Sequence, residues 1–82
     1  MSGGAAPRLT VYSRHGCHLC GQMIEALREA CAGYPFDVVD VDGDRTLVER
    51  YGTSVPVLVA DGREISRYHL DHEALRRVLR RS

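Results

Sequence analysis

The chain has 82 residues, which is enough for one domain and no more. Eleven basic and eleven acidic side chains give a formal net charge of zero, whereas a general nucleic-acid-binding protein needs a basic excess. Three cysteines are too few, and odd in number, for the disulfide framework of a small secreted domain. No stretch approaches the roughly 20 apolar residues of a membrane span, and the N-terminus has no signal-peptide pattern. We therefore expect a cytoplasmic monomer that binds neither nucleic acid nor membranes.

The first half of the chain predicts a strand followed by a long helix. Residues 1–7 are predicted to form a disordered tail, so the domain spans residues 8–82. Residues 9–12 are a short β-prone run that ends in a loop. From Cys17 onward, apolar residues recur at spacings of three and four, which is typical of one helical face. They are Cys20, Met23, Ile24, Leu27 and Cys31.

The second half predicts two more helices and three strands. Residues 36–41 form the second strand and lead into an aspartate-rich turn that caps a short helix. Gly52 stands where the C-terminal cap of that helix is expected. Residues 57–60 and 63–67 are strands joined by the Asp61-Gly62 turn, a strong hairpin pattern.

Asp71 caps a last helix, which completes the order β-α-β-α-β-β-α. The first βαβ unit predicts two parallel strands with a right-handed crossover. The hairpin makes the last two strands antiparallel. The sequence therefore predicts an α/β domain with a four-stranded mixed sheet flanked by three helices.

The tetrapeptide Cys17-His18-Leu19-Cys20 lies between the first strand and the first helix. A cysteine at a helix N-terminus faces unpaired backbone N–H groups and the positive end of the helix dipole, which favour the thiolate and lower the thiol pKa. Cys20 begins the apolar face one turn later, so it should be the more buried thiol. The pattern predicts Cys17 as the catalytic nucleophile and Cys20 as the catalytic resolving thiol. Arg14 and His18 add positive potential nearby.

Metal binding is the main alternative use of these cysteines. A C-x-x-C pair can be half of a zinc site, but that site needs two more ligands. Eleven residues of helix, roughly 16 Å at 1.5 Å per residue, separate Cys31 from Cys20, which is too far for a shared metal or a disulfide. We expect Cys31 to be a buried core thiol. A C-x-x-C pair beside a βαβ pattern favours redox chemistry instead.

Two segments resemble the glutaredoxin family of the thioredoxin-fold superfamily. They are Val11-Tyr12-Ser13-Arg14-x-x-Cys17-x-x-Cys20 and Ser54-Val55-Pro56, the latter followed by a strand-turn-strand pattern. The resemblance covers residues 8 to 80 and is closest to short glutaredoxin-like proteins with a C-x-L-C motif. It implies a thioredoxin-like fold with Cys17 exposed at the start of the first helix.

The resemblance also implies a substrate-binding surface. Pro56 is expected to follow a cis peptide bond in a loop that lies against the cysteine pair. The backbone of Val55 would then offer hydrogen bonds to an extended thiol peptide. Arg14 fills the place of the family's lysine, and Asp71 matches its aspartate. The candidate substrate-binding residues are Arg14, His18, Leu19, Ser54, Val55, Pro56 and Asp71.

Some family features are replaced in this chain. His18 and Leu19 stand where glutaredoxins usually carry proline and an aromatic residue. The family's Gly-Gly pair is missing, and Ser66-Arg67 or Arg67-Tyr68 occupies its region. These differences leave the electron donor open among glutathione, another low-molecular-weight thiol and a thioredoxin-reductase-type enzyme.

The sequence supports three functional hypotheses. The leading one is a dithiol thiol–disulfide oxidoreductase that reduces protein or low-molecular-weight disulfides without a resident cofactor. The second is an iron–sulfur cluster-binding or carrier module, in which cysteine thiolates from two copies and external thiols hold the cluster. The third is a non-catalytic thioredoxin-fold domain that docks a partner through the surface around Pro56.

Overall fold

The computed structural model describes residues 6–80. Residues 1–5 of the predicted tail and residues 81–82 of the predicted domain lie outside the described residues. Pro7, at the end of the predicted tail, is buried, and its carbonyl accepts a hydrogen bond from the hydroxyl of Tyr34. The packed part of the domain therefore begins at least one residue before residue 8.

The elements follow the predicted order. The strands are β1 (Leu9–Ser13), β2 (Phe36–Asp40), β3 (Val57–Ala60) and β4 (Arg63–Arg67). The helices are α1 (His18–Ala30), α2 (Arg45–Tyr51) and α3 (His72–Arg80). A 3-10 turn at Val41–Gly43 takes up the last residue of the predicted second strand and leads into α2. No helix among residues 6–80 combines the length and the apolar character needed to cross a membrane.

The sheet is mixed, as predicted, with the strand order β2-β1-β3-β4. β1 is parallel to β2 and antiparallel to β3, and β3 and β4 form the predicted antiparallel hairpin. Asp61 and Gly62 both have positive φ, which two-residue hairpin turns of this kind require. Because Tyr12 pairs with Val57, the end of β1 lies beside the start of β3. The loop after β1 and the segment before β3 thus meet at one end of the sheet.

The core lies on one face of the sheet, beneath α1 and α3. Successive strand residues point to opposite faces. Buried residues alternate along β1, whereas all four residues of the central strand β3 are buried. The buried cluster contains Leu9, Val11, Met23, Leu27, Leu58, Ala60 and Leu75. On the other face, Tyr12 stacks on Tyr51 of α2 with ring centroids 4.5 Å apart. α1 and α3 therefore cover one face, and α2 covers the other.

Two local expectations need correction. Cys31 is half-buried rather than fully buried, because α1 ends at Ala30 and Cys31 is its C-terminal cap. Its thiol donates to the Leu27 carbonyl at 3.1 Å and packs against the core from the edge. Gly52 does follow α2, but with right-handed backbone (φ −54°) instead of the left-handed cap expected of glycine. Glycine is needed there because a Cβ would lie 2.5 Å from the Val48 carbonyl oxygen.

Candidate active site

The cysteine pair lies at the start of α1. Cys17 is the N-cap residue, with extended backbone, and forms a disulfide with Cys20, their Cα atoms being 5.2 Å apart. Its Sγ accepts a hydrogen bond from the backbone N–H of Cys20 at 3.1 Å. Cys20 is 3% exposed, whereas Cys17 is half-buried. An external sulfur can therefore approach Cys17 more easily than Cys20.

The two residues between the cysteines differ in exposure. His18, the first residue of α1, is exposed, and its Nε2 lies 3.1 Å from the side-chain amide nitrogen of Gln22 one turn later. Leu19 is half-buried. Of the two, His18 is the residue that presents a polar side chain to solvent beside Cys17.

The segment before β3 contains the other residues that the sequence predicts for the site. The Val55–Pro56 peptide bond is cis, and Pro56 is fully buried. Ser54 is fixed by its backbone N–H, which donates to Tyr51, and by its hydroxyl, which accepts from Arg67 Nη1 at 3.1 Å. No hydrogen bond among residues 6–80 uses the backbone N–H or carbonyl of Val55. Strand pairing places this segment at the end of β1, from which the chain leads to Cys17.

Arg14 is bound to other protein groups. Its Nε and Nη2 donate to the Asp42 carboxylate, at distances from 2.7 to 3.3 Å, and its Nη1 donates to the Gly52 carbonyl at 3.1 Å. The hydrogen bond and the negative charge of Asp42 raise the pKa of Arg14 above its ordinary value. The arginine is charged, but Asp42 compensates that charge. The positive potential that the sequence predicted beside the cysteines is therefore largely balanced within the protein.

The family model of the Glutaredoxin-like domain (DUF836) matches residues 8–80, nearly the whole chain. The chain belongs to this family. The assignment agrees with the cysteine pair at a helix start and with the mixed four-stranded sheet.

Several known proteins are similar to this chain in sequence or in structure. An uncharacterized protein of Mycobacterium tuberculosis is 31% identical over 93% of this chain and 86% of its own length. The solution structure of a Nitrosomonas europaea protein superimposes with a TM-score of 0.82 at 34% identity, covering 96% of this chain and 98% of that one. Oxidized glutaredoxin 2 from Chlamydomonas reinhardtii, at 24% identity and a TM-score of 0.58, covers 93% of this chain and 78% of its own. That last similarity concerns the fold alone, which is thioredoxin-like.

In this glutaredoxin-like domain, Asp71 has a structural role at the start of α3. It precedes α3, and its Oδ1 accepts the backbone N–H of Ala74 at 3.0 Å. This is the N-cap role predicted from the sequence. Asp71 is exposed, and the cap uses its Oδ1.

Sequence reasoning missed the position of Tyr68 in the glutaredoxin-like domain, since it placed this residue only in the region of the family's missing Gly-Gly pair. The residue has left-handed backbone (φ 69°), and its N–H donates to the Pro56 carbonyl at 2.8 Å. The residue is 41% exposed. The signal in the sequence is a bulky residue in the region where the family carries glycine.

Proposed function

We propose that this protein is a thiol–disulfide oxidoreductase in which Cys17 is the nucleophile and Cys20 the resolving thiol. The observation that carries the proposal is the Cys17–Cys20 disulfide at the N-terminus of α1, with Cys17 as the helix cap. Membership in the glutaredoxin-like family supports it. A thiolate at Cys17 would accept the Cys20 N–H and lie at the positive end of the α1 dipole, and both favour the reactive form of the thiol.

The reaction proceeds in two exchanges. The Cys17 thiolate attacks one sulfur of a substrate disulfide, a Cys17–substrate disulfide forms, and the other substrate sulfur leaves as a thiolate. Cys20, deprotonated, then attacks Cys17 Sγ, so that the Cys17–Cys20 disulfide forms and the second substrate thiolate is released. Two electrons pass from the cysteine pair to the substrate. An external thiol, such as glutathione, or a reductase returns them, so the cycle needs no resident cofactor.

The substrate approaches the segment before β3. An extended chain that carries the reacting cysteine would pair with the unused backbone groups of Val55, as an added β-strand does. Protein disulfides and low-molecular-weight disulfides both fit this chemistry. Only a polypeptide can use the backbone pairing fully.

Cysteine variants test the proposal. Cys17→Ser should abolish disulfide reduction, because the nucleophile is lost. Cys20→Ser should accumulate a mixed disulfide at Cys17, detected by intact mass, because the resolving thiol is lost. Cys31→Ser is the matched control and should reduce disulfides at the wild-type rate. Full activity of Cys17→Ser would exclude this mechanism.

A further inference from the structure

Tyr68 spans the segment at residues 53–56. Its backbone N–H donates to the Pro56 carbonyl at 2.8 Å, and its hydroxyl oxygen lies 3.5 Å from the Thr53 carbonyl oxygen. The backbone of the tyrosine is therefore fixed at one end of that segment, and its hydroxyl lies near the other end. The ring lies along the stretch between them, which contains Val55.

The backbone conformation of Tyr68 is unfavourable for its residue type. A bulky residue with positive φ is uncommon, and such residues persist where surrounding contacts fix them, often at ligand-binding positions. Glycine would adopt this conformation without strain. Position 68 nevertheless carries a large aromatic residue, and this residue is 41% exposed.

The exposed ring lies beside the segment that the proposed function assigns to peptide binding. The N–H and carbonyl of Val55, midway along the segment, are unused among residues 6–80. A polypeptide that pairs with them would pass beside the Tyr68 ring. Tyrosine suits such contacts because its rigid ring offers much apolar area at a small cost in conformational entropy.

The charges around the segment are compensated. Arg67 binds the Glu64 carboxylate through Nε and Nη2, at 2.6 and 2.8 Å, and the Ser54 hydroxyl through Nη1. Arg14 is paired with Asp42. The edge therefore offers an incoming chain a neutral aromatic surface instead of a free cation.

We infer that Tyr68 is a specificity-determining residue that selects polypeptide disulfides with an apolar side chain next to the reacting cysteine. The inference rests on the proposed function, whose substrate class it specifies. The ring contacts the apolar side chain while the backbone of Val55 pairs with the substrate backbone. A carboxylate-bearing small disulfide gains neither contact.

The test compares two peptide disulfides that differ only at the residue after the cysteine, leucine in one and serine in the other. For the wild-type protein, kcat/KM should favour the leucine peptide by about five- to tenfold, as expected from burying part of a leucine side chain against the ring. Tyr68→Gly, which accepts the positive φ, should bring the ratio close to one, and Tyr68→Phe should keep it. Val38, on β2, is also an exposed apolar residue, so Val38→Ala is the matched control. This variant should leave the ratio unchanged.

The outcomes separate this inference from the proposed function. A wild-type ratio near one, or a ratio that survives in Tyr68→Gly, would overturn the role of Tyr68 and leave the oxidoreductase intact. Failure of the wild-type protein to reduce either peptide or 2-hydroxyethyl disulfide would overturn the proposed function and the inference with it. Tyr68→Asn, which also tolerates left-handed backbone, gives the same test if the glycine variant does not fold.

Discussion

Cys17 and Cys31 lie at opposite ends of α1, and their sulfur atoms have opposite surroundings. The sulfur of Cys17 accepts a backbone N–H at the helix start, an interaction that favours negative charge. Cys31 instead donates its S–H to the Leu27 carbonyl, and partial burial raises the pKa of its thiol. The first environment favours the thiolate and the second the thiol. Reactivity at neutral pH should therefore differ between the two residues.

Alkylation of the reduced protein measures this difference. With limiting iodoacetamide at pH 7, Cys17 should be modified before Cys31, because only thiolates react at an appreciable rate. Timed quenching and peptide mass analysis give the order. In the urea-unfolded protein the two residues should react at similar rates. Earlier modification of Cys31 in the folded protein would contradict the assignment.

Gly52 is packed so closely that a larger residue does not fit at this position. The close approach of the Val48 carbonyl leaves no room for a Cβ, and the Gly52 carbonyl receives Nη1 of Arg14. Gly52→Ala should lower the free energy of unfolding by about 1–3 kcal/mol, the usual cost of overpacking. Urea denaturation measures this. Gly43→Ala, where a Cβ meets no atom within 4 Å, is the control and should change stability by less than about 0.5 kcal/mol.

At the scale of elements, each helix begins at a side-chain cap. Cys17 Sγ caps α1, while Asp44 Oδ1 accepts the Thr46 N–H at 2.8 Å to cap α2. Asp71 caps α3 in the same way. These interactions span two or three residues, so the starts of the helices are set locally.

Two variants of Asp71 test its role as the N-cap of α3. Asp71→Ala should lower the free energy of unfolding by about 1 kcal/mol, because the Ala74 N–H loses its acceptor. Asp71→Asn should keep most of that stability, since asparagine caps as well as aspartate does. Thermal denaturation of both variants decides this. Equal losses in the two variants would show that the carboxylate charge matters more than the cap.

Locality also explains which features the sequence could predict. Apolar spacing, the Asp61-Gly62 turn and the caps depend on near neighbours, so the element order and the helix starts were predictable. The Arg14–Asp42 pair joins residues 28 positions apart, and nothing in either segment indicates it. The backbone of Tyr68 likewise depends on the distant Pro56 carbonyl. Cys31 was misjudged because helical spacing cannot show that α1 ends one residue earlier.

At the scale of the whole molecule, a small core stabilises the fold more than the surface charges do. The five ion pairs described among residues 6–80 all join side chains that are at least one-third exposed, and such pairs contribute about 0–1 kcal/mol each. Leu27, by contrast, is fully buried in the cluster between α1 and the sheet. A domain of this size is only marginally stable.

Substitutions at two neighbouring residues of α1 compare the contribution of the core with that of a surface ion pair. Leu27→Ala should cost about 2–5 kcal/mol, through lost burial and the cavity left behind. Arg28→Ala removes the exposed pair with Glu25 and should cost less than about 0.5 kcal/mol. Chemical denaturation of both variants gives the comparison. Similar losses would mean that surface electrostatics matters far more than these distances suggest.

The cap of α1 has a consequence for the backbone amide of Cys20. The acceptor of its N–H is the Cys17 sulfur, which changes from thiolate to disulfide and back once in each proposed catalytic cycle. A thiolate accepts a hydrogen bond more strongly than a disulfide sulfur does. The Cys20 amide should therefore exchange with solvent deuterium more slowly in the reduced protein than in the oxidized one. Its proton would then report the oxidation state of Cys17 through the first turn of α1.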